Sequence, residues 1–353
     1  MKVAPLARAF AAHRDVRHLI VHTGQHYDEA MSDVFFHDLE IPRPDIFLGV
    51  GSGTHAEQTA KVMTAFEAVA AEHRPDAVIV VGDVNSTLAC SIVCAKMSIP
   101  VAHVEAGLRS FDRTMPEEIN RLVTDAVADW LFVSEPSGME NLKREGAGEE
   151  KVFFVGNVMI DTLVHSRARA HGSAILDTLG VQAGGFVLVT LHRPSNVDAR
   201  ESLERLITLL TRIAARSPIV FPMHPRTMKM IESFGLKDTL PAGCRTIAPQ
   251  GYIDFMALLE QAACVVTDSG GIQEETTYLG IPCITLRANT ERPVTISQGT
   301  NRLLGDDYDG AVAAVDLALS GAWPKGSIPD LWDGHAAERI AAIVLEKLTT
   351  GKH

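Results

Sequence analysis

Thr267-Asp268-Ser269-Gly270-Gly271-Ile272-Gln273-Glu274-Glu275 decides how this chain is read. It follows the apolar run Cys264-Val265-Val266, which reads as a buried strand, and it precedes a helical pattern. Strand, Ser-Gly-Gly and helix together make one unit of a parallel α/β sheet. The same arrangement gathers free backbone N–H groups and a positive helix end at one point, which suits a phosphate group. Glycine lets a ligand approach the backbone closely. Glu275 lies further along, where a carboxylate could accept hydrogen bonds from a ribose diol. A plain tight turn capped by Ser269 fits the same letters, so the loop alone leaves both readings open.

Working outward, short β-branched runs recur at His18–His22, Ala77–Val81, Val101–Val104, Trp130–Val133 and Val152–Val155. A second series runs through Phe186–Thr190, Ile219–Pro222, Arg245–Ile247, Cys264–Val266 and Pro282–Leu286. Continuous apolar strands alternating with amphipathic helices predict parallel sheets covered on both faces. Two series predict two Rossmann-like domains, in keeping with 353 residues at roughly 150 per domain. The seam falls near Val158–Gly185, where Gly180, Gly184 and Gly185 interrupt a helical stretch. The expected division is 1–160, 161–335, and a closing helix in 336–353 that packs back on the first domain. Met1–Ala12 reads as a helix with Pro5 in its first turn.

Composition narrows the classes. A net charge of −12 argues against nucleic acid or an anionic membrane as partner. A phosphate-bearing substrate must then be met by local basic groups and helix ends. The five cysteines, at 90, 94, 244, 264 and 283, include no Cys-x-x-Cys and fit a reducing cytosol. Cys90 and Cys94 stand one helical turn apart and read as core rather than metal ligands. The apolar runs are of strand length and the amino end lacks a signal-peptide h-region, so a cytoplasmic protein is expected. Gly49-Val50-Gly51-Ser52-Gly53 lacks the full G-x-G-x-x-G pattern and reads as a loop; neither a nicotinamide cofactor nor a Walker lysine is indicated.

Several titratable residues fall at strand ends, where open α/β sheets bind ligands. Asp83 ends one strand and Glu105 the next, so two carboxylates can face one site, as acid/base chemistry requires. Each could equally cap the helix that follows. Glu117 and Glu118 follow Pro116 and open a helix, where either could simply complement its dipole. Arg121 lies one turn after Glu117, giving either an i, i+4 ion pair or an arginine that tunes a catalytic acid. In the second series, His192-Arg193 and His224-Pro225-Arg226 follow neighbouring strands. They suit a diphosphate or a general acid, although a lone strand-end histidine is more often structural.

These residues carry a family resemblance. Gly82-Asp83, His103-Val104-Glu105-Ala106-Gly107-Leu108-Arg109, Pro116-Glu117-Glu118-Ile119-Asn120-Arg121, Gly156-Asn157, His192-Arg193, Asp268–Glu275 and Thr290-Glu291-Arg292-Pro293 occur in order. Together they strongly resemble the non-hydrolysing bacterial UDP-N-acetylglucosamine 2-epimerases, from Lys2 to the last helix. The resemblance implies a glycosyltransferase-B-like fold of two Rossmann-like domains, with the active site in the interdomain cleft, and a homodimer. It also implies interconversion of UDP-N-acetylglucosamine and UDP-N-acetylmannosamine, supplying ManNAc for cell-surface polysaccharide. UDP is eliminated across C1–C2 to give 2-acetamidoglucal, then added back after reprotonation on the other face, with no metal and no redox cofactor. By resemblance, Asp83, Glu105 and Glu117 form the acid/base cluster with Arg121 beside it, and His192 is the catalytic histidine near the diphosphate. Ser269, Gly270 and Gly271 bind phosphate, Glu275 contacts ribose and Phe255 packs on uracil. Arg193, His224 and Arg292 complete the UDP-binding set.

Two departures from the family pattern stand out. The family places a short strand and a Gly-Thr-Arg-Pro-Glu loop directly before the position of Lys2, and Val294 stands where many relatives carry Glu. The first departure predicts an impaired chain or a start set too late. Gln25-His26 matches a loop used for allosteric activation in some relatives, and reads equally well as an ordinary strand-end loop. The alternatives to the epimerase are a 2-epimerase of another UDP-2-acetamido sugar, such as a diacetamido uronic acid, and a nucleotide-sugar-binding protein impaired at its amino end.

Overall fold

The computed structural model describes residues 1–24, 36 and 38–351. The chain divides into two compact units, Met1–His165 with Asp330–His353, and Ser166–Pro329.

Among the described residues, unit 1 holds a parallel pair, β1 (Val21–His22) with β2 (Ile46–Phe47), and a parallel four-stranded sheet. Its strands β3 (Val78–Val81), β4 (Val101–Ala106), β5 (Trp130–Val133) and β6 (Val152–Phe154) pair in sequence order. Alternation along the strands divides the core in two. Val101, Leu131 and Val133 pack with Val62, Phe66 and Leu142 on one face. Ala102, Val104, Trp130 and Phe132 pack with Leu6, Phe10 and Ile340 on the other. Truncating fully buried Phe132 to alanine would cost roughly 3–5 kcal/mol by the usual scale for large core residues.

The second of those faces is closed by two helices from opposite ends of the chain, Val3–Ala11 and Ala336–Thr350. The latter buries Ala336, Ala337, Ile340, Ala341 and Val344, an i, i+4, i+8 stripe. Asp161 caps its start, accepting hydrogen bonds from the Ala336 and Ala337 N–H groups at 3.1 and 2.7 Å. The preceding turn is fixed by Trp332, whose indole N–H donates to the Ser134 carbonyl at 2.9 Å.

Unit 2 is a parallel six-stranded sheet in the order β12-β11-β10-β7-β8-β9. The strands are β7 (Val187–Thr190), β8 (Ile219–Pro222), β9 (Cys244–Ile247), β10 (Cys264–Thr267), β11 (Cys283–Thr285) and β12 (Asn301–Leu303). Val187, Val189, Cys264 and Val266 face one core cluster, while Leu188 and Val265 face another. The strand order reverses between β7 and β10. The carboxyl ends of that pair are the ligand-binding switch point of such sheets, and the Thr190 and Thr267 hydroxyls bond there at 2.7 Å.

Candidate active site

In unit 1 the acid cluster assembles at the ends of β3 and β4. A register shift between Val104 and Ala106 leaves Glu105 as the extra residue of β4. Its φ of +73° is rare for a residue with a side chain. Backbone strain of this kind, about 1–3 kcal/mol, is typical of functional positions. Glu105 is 4% exposed, is ion-paired with Lys2, and lies 3.9 Å from the Arg121 guanidinium. Arg121 also pairs with Asp83. Two carboxylates and two cations therefore share one spot, which offsets the desolvation of each. The side chain of Asp83 is not a helix cap: Val84 holds the cap position of the helix Asn85–Lys96, without a side-chain bond.

Glu117 is exposed in the first turn of the helix Pro116–Val127, which also carries Arg121. Its neighbour Glu118 points inward. It accepts from the Ser110 N–H at 2.8 Å, the Ser110 hydroxyl at 3.0 Å and the Phe111 N–H at 3.1 Å. Of this acidic pair, Glu118 orders the loop after β4, and Glu117 is left available to a ligand.

In unit 2 the hub is Asp268, fully buried just after β10. It accepts from the His192 N–H at 3.0 Å, the Arg193 N–H at 2.9 Å and the Asn196 amide at 2.9 Å. The His192 ring lies 3.2 Å away through Nδ1, so Asp268 fixes both the backbone and the imidazole. The rings of His192 and His224 lie 5.1 Å apart. His224 accepts the Arg226 N–H at 3.1 Å, and its pKa is lowered by burial, then by His192 and Arg226.

Ser269 occupies the cap position of the helix Gly270–Leu279 but makes no side-chain cap bond. The plain capped-turn reading therefore does not describe this loop. Its N–H donates instead to the Thr267 hydroxyl at 3.0 Å. The helix begins at Gly270, so its first-turn N–H groups lack intrahelical acceptors. A Cβ on Gly270 would come within 2.7 Å of Arg292, which explains the glycine and places Arg292 against the loop. Arg292 is backed by Glu274 at 2.8 Å and Glu291 at 3.3 Å. Glu291 also takes a two-pronged bond from Arg287 at 2.7 and 2.9 Å. Although burial opposes it, contact with Arg287 and Arg292 holds the Glu291 carboxyl down at about 2.

Glu275, expected to contact ribose, is enclosed in this structure. It is 3% exposed and takes a hydrogen bond from the Tyr252 hydroxyl at 2.9 Å. Burial pushes its pKa up to about 7, despite that bond. Phe255 is half-buried against Leu258, Leu259 and their neighbours. Gln25 and His26 lie outside the described residues. The sequence reading did not single out Lys2, Asp268 as the hub, or Tyr252. Only Asp268 carried a signal, its place directly between a strand and the Ser-Gly-Gly turn.

Two parallel α/β units, with acids at the strand ends of one and a glycine-led helix start after a strand in the other, define a glycosyltransferase-B-like protein. A family described as UDP-N-acetylglucosamine 2-epimerase matches residues 8–345. An enzyme of that name from Methanocaldococcus jannaschii is 41% identical, over 100% of this chain and 96% of its own. A UDP-2,3-diacetamido-2,3-dideoxy-D-glucuronate 2-epimerase from Pseudomonas aeruginosa is 39% identical, over 90% and 89%. A crystal structure of the M. jannaschii UDP-GlcNAc 2-epimerase with UDP-GlcNAc and UDP covers 98% of this chain and 96% of that one. Its TM-score is 0.90 at 41% identity. One from Neisseria meningitidis bound to UDP-GlcNAc gives 0.88 at 27% identity, over 98% and 96%. The chain belongs to the UDP-N-acetylglucosamine 2-epimerase family.

Proposed function

We propose that this chain interconverts UDP-N-acetylglucosamine and UDP-N-acetylmannosamine. The observation that carries this reading is the cluster of Asp83, Glu105, Arg121 and Lys2 at adjoining strand ends, in a chain that matches an enzyme of this activity over its whole length. The C2 proton of the sugar is a weak acid, and a positioned carboxylate can remove it. As it leaves, the C1–O bond breaks and its electron pair departs with UDP, leaving 2-acetamidoglucal. A second protonated group delivers a proton to C2 from the opposite face, and UDP adds back at C1. Asp83, Glu105 and Glu117 are read as the acid/base groups. His192, Arg193, His224, Arg292 and the Ser269–Gly271 helix start are read as the holders of the diphosphate. Glu275 is read as the ribose contact and Phe255 as the uracil contact.

In D2O, turnover should place deuterium at C2, visible as loss of the C2 proton signal. Epimerisation with C2 hydrogen fully retained would sink the mechanism. The similarity to the diacetamido-uronate epimerase supports a second reading, in which the sugar is a UDP-2,3-diacetamido uronic acid. Comparing kcat/KM on the two UDP-sugars decides between them.

We read the five buried free cysteines as fitting a cytoplasmic home, and the resemblance as favouring a homodimer, which light scattering would test. We also propose that a strand and Gly-Thr-Arg-Pro-Glu loop preceding Lys2 would join the two separate sheets of unit 1. Comparing this chain with one extended by that segment, for thermal midpoint and turnover, tests the idea.

A further inference from the structure

Asp83 is held at three points by one helix. Its main-chain carbonyl accepts the Asn120 amide at 2.9 Å, and its carboxylate pairs with Arg121. The carbonyl of the preceding residue, Gly82, accepts from His103 Nε2 at 2.8 Å. The other ring nitrogen of His103, Nδ1, lies 2.6 Å from Asp125. Asn120, Arg121 and Asp125 all belong to the helix Pro116–Val127, which presents Glu117 in its first turn. His103 is the relay for the third of these ties.

The geometry gives each ring nitrogen of that relay an oxygen partner. A carbonyl oxygen has no proton to give, so Nε2 must donate to Gly82. Asp125 Oδ2 takes the Arg109 guanidinium at 2.6 Å and the Gly107 N–H at 3.0 Å, the surroundings of a carboxylate, and leaves Oδ1 to accept from Nδ1. Arg109 also reaches Glu145 at 2.6 Å. Arg109 and a charged His103 would face two carboxylates, buried Asp125 and exposed Glu145. That balance makes a charged imidazole with no exposed surface tenable.

We propose that His103 is a positioning residue, a buried imidazolium that ties the Gly82-Asp83 turn to the helix carrying Glu117 and so fixes two acid/base groups relative to each other. The turn needs such a tie because Gly82 has a φ of +72°, a conformation glycine enters and leaves freely. His103 touches no reacting atom in this account. The proposal rests on the reading of Asp83 as an acid/base group.

The test has two arms. In protein labelled with 15N-histidine, one ring should show both nitrogens protonated at neutral pH, with two slowly exchanging ring protons. The signal should vanish in His103→Gln. A neutral His103 ring would overturn the proposal. Should His103→Gln fail to fold, Asp125→Asn serves for the assignment, and the spectrum of the unmutated protein still decides. In the kinetic arm, misplacing the turn should lower kcat by about 10²-fold while KM moves by less than about threefold, the signature of lost positioning rather than lost binding. Asp83→Asn is measured alongside. If it loses turnover while folded His103→Gln keeps it, the positioning role is wrong and the acid/base reading stands. If both keep it, the reading of Asp83 is overturned and the proposal falls with it.

Discussion

The two units use their carboxylates in different ways. In unit 1, half-buried Asp83 and buried Glu105 lie side by side at strand ends, and both pair with cations, Arg121 and Lys2. In unit 2, Asp268, Glu274, Glu275 and Glu291 are sunk beneath the surface. Three of them back a cation or an imidazole: Asp268 holds His192, and Glu274 and Glu291 hold Arg292. One sheet type thus carries acids grouped with cations in one unit and acids set behind a cation or an imidazole in the other. A chain with a net charge of −12 can meet a diphosphate by recessing its acids behind the groups that face the ligand.

The strand-end acids of unit 1 should govern turnover, and the acids buried behind cations in unit 2 should govern stability. The largest effects are expected from Asp83→Asn and Glu117→Gln in unit 1 and from His192→Ala, the group that unit 2 presents. Each should lower kcat by roughly 10²-fold or more, with thermal midpoints little changed. Near-normal turnover in any of them removes that residue from the chemistry.

Glu291→Gln should do the reverse, since it leaves Arg287 without its buried counter-charge and Arg292 with Glu274 alone. Removing one partner of such a group costs about 3–5 kcal/mol, readable in a urea melt. The wild-type carboxyl, held at about 2 against an ordinary 4.5, gives stability that is present above pH 4.5 and lost as the pH falls to 2. That acid limb, on the order of 3 kcal/mol, should be missing in the variant.

Glu275 is displaced the other way. With its carboxyl at about 7 instead of 4.5, stability is fully present below pH 4.5 and is lost as the pH rises through 7. Glu275→Gln should therefore melt higher than wild type at pH 8, by up to about 3 kcal/mol, and gain nothing at pH 4. It should also bind UDP more weakly if the side chain contacts ribose. A variant neither more stable at pH 8 nor weaker for UDP would deny both roles. The smallest effect is expected from Glu204→Ala, which removes an exposed i, i+4 partner of Arg200. A shift beyond about 0.5 kcal/mol would show that surface pairs matter more here than the buried ones suggest.

The parallel strands were legible because buried strands read as unbroken apolar runs, and strand ends located Asp83, Glu105, His192 and His224. The strands the sequence missed are those without that signature. β2 has two residues, and β12 is the polar edge segment Asn301–Leu303. β4 runs past its expected end because a bulge at Glu105, not a turn, re-aims the chain. Within the site, residue types were legible and pairings were not. Nothing in the order of letters says that Lys2 meets Glu105, or that Tyr252 closes over Glu275. Contacts between distant segments follow from how the sheet is assembled.

The helix Ala336–Thr350 completes unit 1, yet it leaves the ribosome after all of unit 2 has been made. During synthesis the face formed by Ala102, Val104, Trp130 and Phe132 has only the helix Val3–Ala11 to cover it while Ser166–Pro329 emerges. Unit 2 is a single uninterrupted segment and can fold in that interval. The nascent chain therefore passes through a stage with unit 2 complete and unit 1 still lacking a helix.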